Sequence, residues 1–211
     1  MIPLGSIVIS DSLELQEVEP NDLVRRLQAG CSDSATELSN RFTPRLLILL
    51  ERRLQGNRAD AEDVAQEALA KAFQRLDQFD FQYQFSTWLY TIAFRLATDF
   101  ARKEKRRPKL VPMEAMQLDT LWRANGDFSN AEAVVEDVWS VARSALSESQ
   151  YTSLWLRYGE GLSIQEIAGI MNKTQIVIRV QLHRARSRLE KDIRRMDRER
   201  MVNQGNPKEP S

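Results

Sequence analysis

The sequence predicts an all-α protein made of two small helical domains joined by a flexible acidic linker. Three observations carry this. Apolar residues recur at three- and four-residue spacing through most of the 211 positions, and no strand pattern exceeds the fragment Ile7 to Ile9. The period stops at Pro108 and Pro112 and does not resume before about Asn130, in a stretch where Glu114, Asp119 and Asp127 outnumber Lys109 and Arg123. Eight Gly and seven Pro beside 42% apolar and 28% charged residues suit a helical globular chain rather than a disordered one. The expected organisation is an acidic extension (1–20), a first domain (21–107), the linker (108–130), a second domain (131–196) and a polar tail (197–211) whose last part, from about Arg200, reads as disordered.

The first helix is expected from Asn21, as N-cap after Pro20, to Gly30, which is placed to end it. A second runs from Asp33 to about Gln55 and stops near Gly56. The third, from Asp60, puts Ala65, Ala68, Leu69, Ala72, Phe73 and Leu76 on one stripe and leaves Glu62, Asp63, Gln66 and Glu67 outside. An aromatic loop, Phe79 to Phe85, precedes Ser86, the expected N-cap of a fourth helix with the stripe Trp88, Leu89, Ile92, Ala93, Leu96 and Phe100. Trp88, being on that stripe, reads as core.

In the second domain the first helix is expected to bury Val134, Val138, Val141, Ala142 and Ala145. Two capping boxes, Ser147 with Gln150 and Ser163 with Glu166, fix the next two helix starts. Asn172 suits a left-handed turn residue and Thr174 the cap of the following helix, so residues 163 onward read as a helix-turn-helix. At 100° per residue, Ile178, Leu182, Ala185, Leu189 and Ile193 share the buried stripe of its second helix. Ile176, Val180, His183 and Ser187 point the opposite way, flanked by Arg179, Arg184, Arg186 and Arg188.

Thirty Lys/Arg balance thirty Asp/Glu, but the charges are segregated. The N-terminus carries only acids: Asp11, Glu14, Glu17, Glu19 and Asp22. Residues 95–107 hold six basic against two acidic groups, and residues 173–195 hold eight against two. Two basic blocks in a neutral chain are the footprint of two phosphate-contacting surfaces, although a charge run alone can be a solvated helix face. The acidic extension either shields such a surface or simply solvates the terminus.

Several function classes are disfavoured. One Cys31 and one His183 provide neither an intrachain disulfide nor zinc-ligand spacing, so no metal and no cofactor is expected. There is no Gly-rich phosphate loop and no nucleophile–base pair, so no catalytic residue is assigned; a nuclease is the enzymatic rival. The longest apolar run, Leu46 to Leu50, falls far short of the roughly 20 residues of a membrane span, which leaves a cytoplasmic protein without membrane insertion as the expectation.

At this point the residues resemble the extracytoplasmic-function branch of bacterial RNA polymerase sigma factors, from about Leu23 to Ile193. Asp60-Ala-Glu-Asp-Val-Ala-Gln-Glu67 resembles the region-two helix that binds the clamp helices of the polymerase largest subunit. Phe85-Ser-Thr-Trp-Leu-Tyr-Thr-Ile-Ala93 resembles the segment that opens and reads the minus-ten element. Leu156-Arg-Tyr-Gly-Glu-Gly-Leu-Ser-Ile-Gln-Glu-Ile-Ala168 and Leu182-His-Arg-Ala-Arg186 resemble the region-four helix-turn-helix that reads the minus-thirty-five element. The resemblance implies a factor that docks on core polymerase through region two and, at the flap, through region four. Region two would melt the minus-ten DNA and trap a flipped base, the linker would enter the active-site cleft, and an anti-sigma inhibitor is a further candidate partner.

The expected contact residues follow. Polymerase docking falls to Asp60, Glu62, Asp63, Gln66 and Glu67, although carboxylates in a first helical turn also favour the helix dipole. Minus-ten DNA falls to Phe81, Gln82, Tyr83, Gln84, Arg95, Arg102, Lys103 and Arg106, with aromatic rings for stacking and bases for phosphates. Minus-thirty-five DNA falls to Thr174, Gln175, Ile176, Arg179, Val180, His183, Arg184 and Arg186. Arg95 stands where the family usually has Asn, Ile176 and Val177 replace a usual Gly-Thr pair, Val180 a common Ser, Gln181 a common Arg, and Cys31 a frequent Asp. Ile176 and Val180 therefore either read thymine methyls or bind a protein. A helix-turn-helix regulator that is not an initiation factor is the runner-up; it would not need the acidic helix, the aromatic loop or the second basic block.

Overall fold

The computed structural model describes Leu15, residues 17–106 and residues 130–204, with the side chains of 105, 106, 130–137, 197 and 199–204 left undescribed. The acidic extension before Leu15, the linker from 107 to 129 and the last seven residues lie outside it. All regular structure among the described residues is helical: α1 (Pro20–Gln28), α2 (Asp33–Arg53), α3 (Arg58–Gln74), a 3-10 turn (Leu76–Gln78), α4 (Phe85–Arg106), α5 (Asn130–Ala145), α6 (Glu148–Tyr158), α7 (Ile164–Met171) and α8 (Gln175–Gln204). The chain divides into two compact units near residue 112.

In the first unit, α3 lies against both α2 and α4. Ala61, Ala65, Ala68 and Ala72 on α3 are fully buried, and their small side chains let the larger Leu38, Phe42, Leu46, Leu49 and Leu50 of α2 fill the centre. Phe42 meets Phe85 and Tyr90 of α4 edge to face, with centroids 5.4 and 6.4 Å apart. Arg41 ties the segment before α1 to α2 by donating to the carbonyl oxygens of Leu15 and Val18.

Turn chemistry sets the helix ends. Gly30, at φ 96°, closes α1 with the two bonds of a Schellman cap, Gly30 N–H to Leu27 and Cys31 N–H to Arg26, both 3.0 Å. Gln55 and Gly56 turn the chain between α2 and α3 at φ 60° and 85°. Helix α3 starts two residues earlier than expected, because the Asn57 side chain accepts from the Asp60 N–H at 3.3 Å. Two other expected caps differ. Glu19, not Asn21, precedes α1, with Pro20 inside its first turn, where a missing N–H costs nothing. Helix α4 starts at Phe85, so Ser86 is inside it.

In the second unit α8 packs on α5 and α6. The stripe Ile178, Leu182, Ala185 and Leu189 is buried as expected, and Ile193 is half-buried. The expected stripe of α5 holds at buried Ala142 but not at Val138, which is exposed, while Trp139 turns inward against Tyr151 and Trp155, at 6.1 and 4.9 Å; the Val134 side chain lies outside the described ones. The indole displaces the valine because it covers far more apolar surface. Helix α8 also continues to Gln204, past the Arg200 where disorder was expected.

Candidate nucleic-acid interface

The helix-turn-helix is assembled by three local devices. The Ser163 and Glu166 capping box is closed in both directions, at 2.8 and 3.2 Å, and fixes the start of α7. Asn172 takes φ 50°, and the bonds Lys173 N–H to Ala168 and Asn172 N–H to Gly169, 2.9 and 3.3 Å, complete a Schellman turn. Thr174 then accepts from the Val177 N–H at 3.4 Å and caps α8.

This start of α8 presents an unusual surface. Ile176 is 70% exposed, and Val177 and Val180 are each 41% exposed. Thr174, Gln175, Arg179, His183, Arg184 and Arg186 are exposed around them. The arginines differ along the helix. Arg188, Arg194 and Arg195 pair with Asp192 or Glu190, whereas Arg184 and Arg186 have no ion pair among the described residues, and Arg179 only donates to the Gln175 side-chain oxygen at 3.4 Å. Positive charge is thus left open beside the apolar residues and neutralised further along. Gln181, at a departure position, accepts from the Ser153 hydroxyl at 2.9 Å and so is spent holding α6 to α8.

The first unit carries the other expected surfaces. On α3, Glu62, Asp63, Gln66 and Glu67 are exposed and Asp60 is half-buried. Glu62 pairs with Arg58 at 2.8 Å and Glu67 with Lys71 at 2.7 Å, while Asp63 has no ion pair among the described residues. Asp60, Asp63 and Glu67 follow one ridge at spacings of three and four, and Glu62 shares a neighbouring ridge with Gln66, both away from the buried alanines.

The aromatic loop is more structured than its composition suggests. Phe79 is buried at the centre of a ring cluster, 4.9 Å from Phe81, 6.0 Å from Phe85 and 5.3 Å from Trp88. The Arg25 guanidinium sits over the Phe81 ring at 4.2 Å, so that ring is engaged within the protein rather than open for stacking. Trp88 is half-buried in the same cluster, in keeping with a core role. Gln82, Tyr83 and Gln84 are exposed, Tyr83 by 58%. Among the basic residues of α4, Arg95, Arg102 and Lys103 are exposed, with Arg102 3.5 Å from Asp99; Arg106 ends the helix and its side chain lies outside the described residues.

What sequence reading missed is the grip of α1 on this loop. Asn21 spans it, Oδ1 accepting from the Phe85 N–H at 2.8 Å and Nδ2 donating to the Tyr83 carbonyl at 2.9 Å. Gln28 adds a bond from Nε2 to the Leu76 carbonyl at 2.7 Å. No local signal announces a bond between residues 62 or 64 positions apart.

Comparison with known proteins follows the same division. The family description Sigma-70 region 2 matches residues 40–107, and Sigma-70, region 4 matches residues 143–189. The chain belongs to the extracytoplasmic-function sigma factors. It is 29% identical over 178 residues to the ECF RNA polymerase sigma factor SigW of Bacillus subtilis, covering 81% of this chain and 95% of that one. It is equally similar, 29% over 178 residues, to the ECF RNA polymerase sigma-E factor of Escherichia coli, covering 81% and 92%. Among solved structures, CnrH in complex with the cytosolic domain of CnrY shares the fold at a TM-score of 0.50 and 20% identity, over 81% of this chain and 94% of that one. This sigma factor is therefore a transcription initiation factor. Among its described residues no helix is long and apolar enough to cross a membrane, and no group of three His, Cys, Asp or Glu is placed to hold a metal ion.

Proposed function

We propose that the two units divide the work of initiation in the cytoplasm, without any catalytic group of their own. Helix α3 docks core RNA polymerase through Asp60, Glu62, Asp63, Gln66 and Glu67 against the clamp helices of the largest subunit, and the second unit meets the flap region. Gln82, Tyr83 and Gln84 contact the opened minus-ten strand, with Tyr83 as the stacking ring and Arg95, Arg102, Lys103 and Arg106 on its phosphates. Phe81 supports the loop from within. The start of α8 enters the major groove of the minus-thirty-five element, where Thr174, Gln175, Arg179, His183, Arg184 and Arg186 meet phosphates and base edges. Ile176 and Val180 take the methyl groups of thymines.

The observation that carries this is the coexistence, in one chain of the sigma family, of a capped helix-turn-helix with open arginines and a separate unit bearing an acidic ridge and an exposed-tyrosine loop. A regulator acting without polymerase has no use for the second set. The test is reconstitution with core polymerase on promoters recovered from a random library. Specific run-off transcripts are expected only when factor and core are combined, and their absence refutes the proposal. An inhibitor protein is the alternative occupant of the Ile176 and Val180 face. Substituting both by Ser with no change in promoter binding assigns the face to a protein.

A further inference from the structure

We propose that Asn21 is a positioning residue for the minus-ten contact: from α1 it holds the aromatic loop so that Tyr83 is presented to the unpaired strand. The inference rests on the reading of that loop as the minus-ten surface.

The geometry supports a two-handed grip. The Phe85 N–H is the first of α4 and has no partner within its own helix, as holds for the opening N–H groups of any α-helix. Asn21 Oδ1 satisfies it at 2.8 Å, acting as a cap supplied by a residue 64 positions earlier. The same carboxamide donates from Nδ2 to the Tyr83 carbonyl at 2.9 Å. A flipped amide would set like groups against each other at both contacts, so the orientation is fixed by its partners. One planar group thereby sets the separation between the tyrosine backbone and the start of the helix that carries Arg95, Arg102 and Lys103.

Two further contacts lie on the same face of α1. Arg25, four residues on, covers Phe81 at 4.2 Å, and Gln28, seven residues on, holds the Leu76 carbonyl at 2.7 Å. Within the loop, Asp80 turns the chain by accepting from the Gln82 N–H at 2.9 Å, and its carbonyl takes the Tyr83 N–H at 3.0 Å. With the Tyr83 N–H and carbonyl both engaged, its backbone is held while the residue stays 58% exposed. Such an arrangement suits a stacking surface that must meet a base without first ordering itself.

Three variants test this in holoenzyme made from the full chain and core polymerase: Asn21→Asp, Asn21→Ala and Tyr83→Ala, with the double variant N21D/Y83A. Asn21→Asp keeps an acceptor for Phe85 but sets a carboxylate oxygen against the Tyr83 carbonyl; it should leave the helical circular dichroism and core binding unchanged. Permanganate reactivity of minus-ten thymines reads the opening. Both Asn21 variants are expected to lower opening by at least about fivefold, the lower end of one base–aromatic stack. The double variant should open no less than Tyr83→Ala alone, because both changes remove the same contact. Wild-type opening by Asn21→Asp, or losses that multiply in the double variant, overturn the positioning role. Normal opening by Tyr83→Ala instead overturns the underlying reading of the loop, and the inference with it.

Discussion

Thymine and uracil differ by one methyl group, which isolates the contact assigned to Ile176 and Val180. The two side chains are four residues apart on α8, about 6 Å along the helix axis at 1.5 Å per residue. Base pairs rise about 3.4 Å, so the pair spans roughly two steps of the groove. Ile176 is 70% and Val180 41% exposed, so each has apolar surface left to bury. Burying one methyl-sized group is worth about 0.8 kcal/mol, which is about fourfold in affinity. Two independent contacts give about fifteenfold. Replacing thymine by uracil through the minus-thirty-five element should therefore lower holoenzyme occupancy by about fourfold at each of two positions, measured by competition on end-labelled promoter fragments. In the variant carrying Ile176→Ser and Val180→Ser the difference between thymine and uracil should vanish. Exposed positions of this kind tolerate substitution within about 0.5 kcal/mol of stability, so folding does not confound the comparison. Equal occupancy of thymine and uracil promoters by the unsubstituted factor would refute the reasoning.

Three further outcomes follow from the geometry. Asp63→Lys, on the unpaired part of the α3 ridge, should weaken core binding by about tenfold and reduce its dependence on salt, with the helical circular dichroism unchanged; unaltered binding removes α3 from the interface. Phe42→Ala removes the ring between Phe85 and Tyr90 and should cost about 3 to 5 kcal/mol in one of two urea transitions, leaving the other in place. Asn172→Ala places a Cβ-bearing residue without a polar side chain at φ 50° and should cost about 1 kcal/mol, while Asn172→Gly should be close to neutral in the same titration.

What was legible in the sequence was whatever local chemistry decides. The capping boxes, the Gly30 and Asn172 turns and the buried stripe of α8 depend on neighbours within four or five positions, and each appears where residue spacing places it. The α5 stripe held at Ala142 but not at Val138, because that helix carries apolar residues on several faces and only packing against Tyr151 and Trp155 chooses Trp139 over Val138. The same reason explains the loop. Composition gave aromatic rings suited to stacking, but Arg25 and Phe79 engage Phe81 from other parts of the fold and leave Tyr83 as the open ring. Asn21 read as a local cap because its residue type favours one; it caps a different helix.

Cys31 illustrates a feature legible as a residue but not as an environment. It is exposed in the turn after α1, where the neighbouring Ser34 holds the thiol below its ordinary range.

The division of labour between the two units is tested most directly by footprinting one promoter with three holoenzymes: unsubstituted, Tyr83→Ala, and Ile176→Ser with Val180→Ser. Tyr83→Ala should keep protection of the minus-thirty-five element and lose permanganate-reactive thymines at minus ten. The serine pair should lose upstream protection on that promoter while still giving permanganate-reactive thymines at minus ten when the holoenzyme is supplied at saturating concentration. Simultaneous loss of both signals from either change would contradict it.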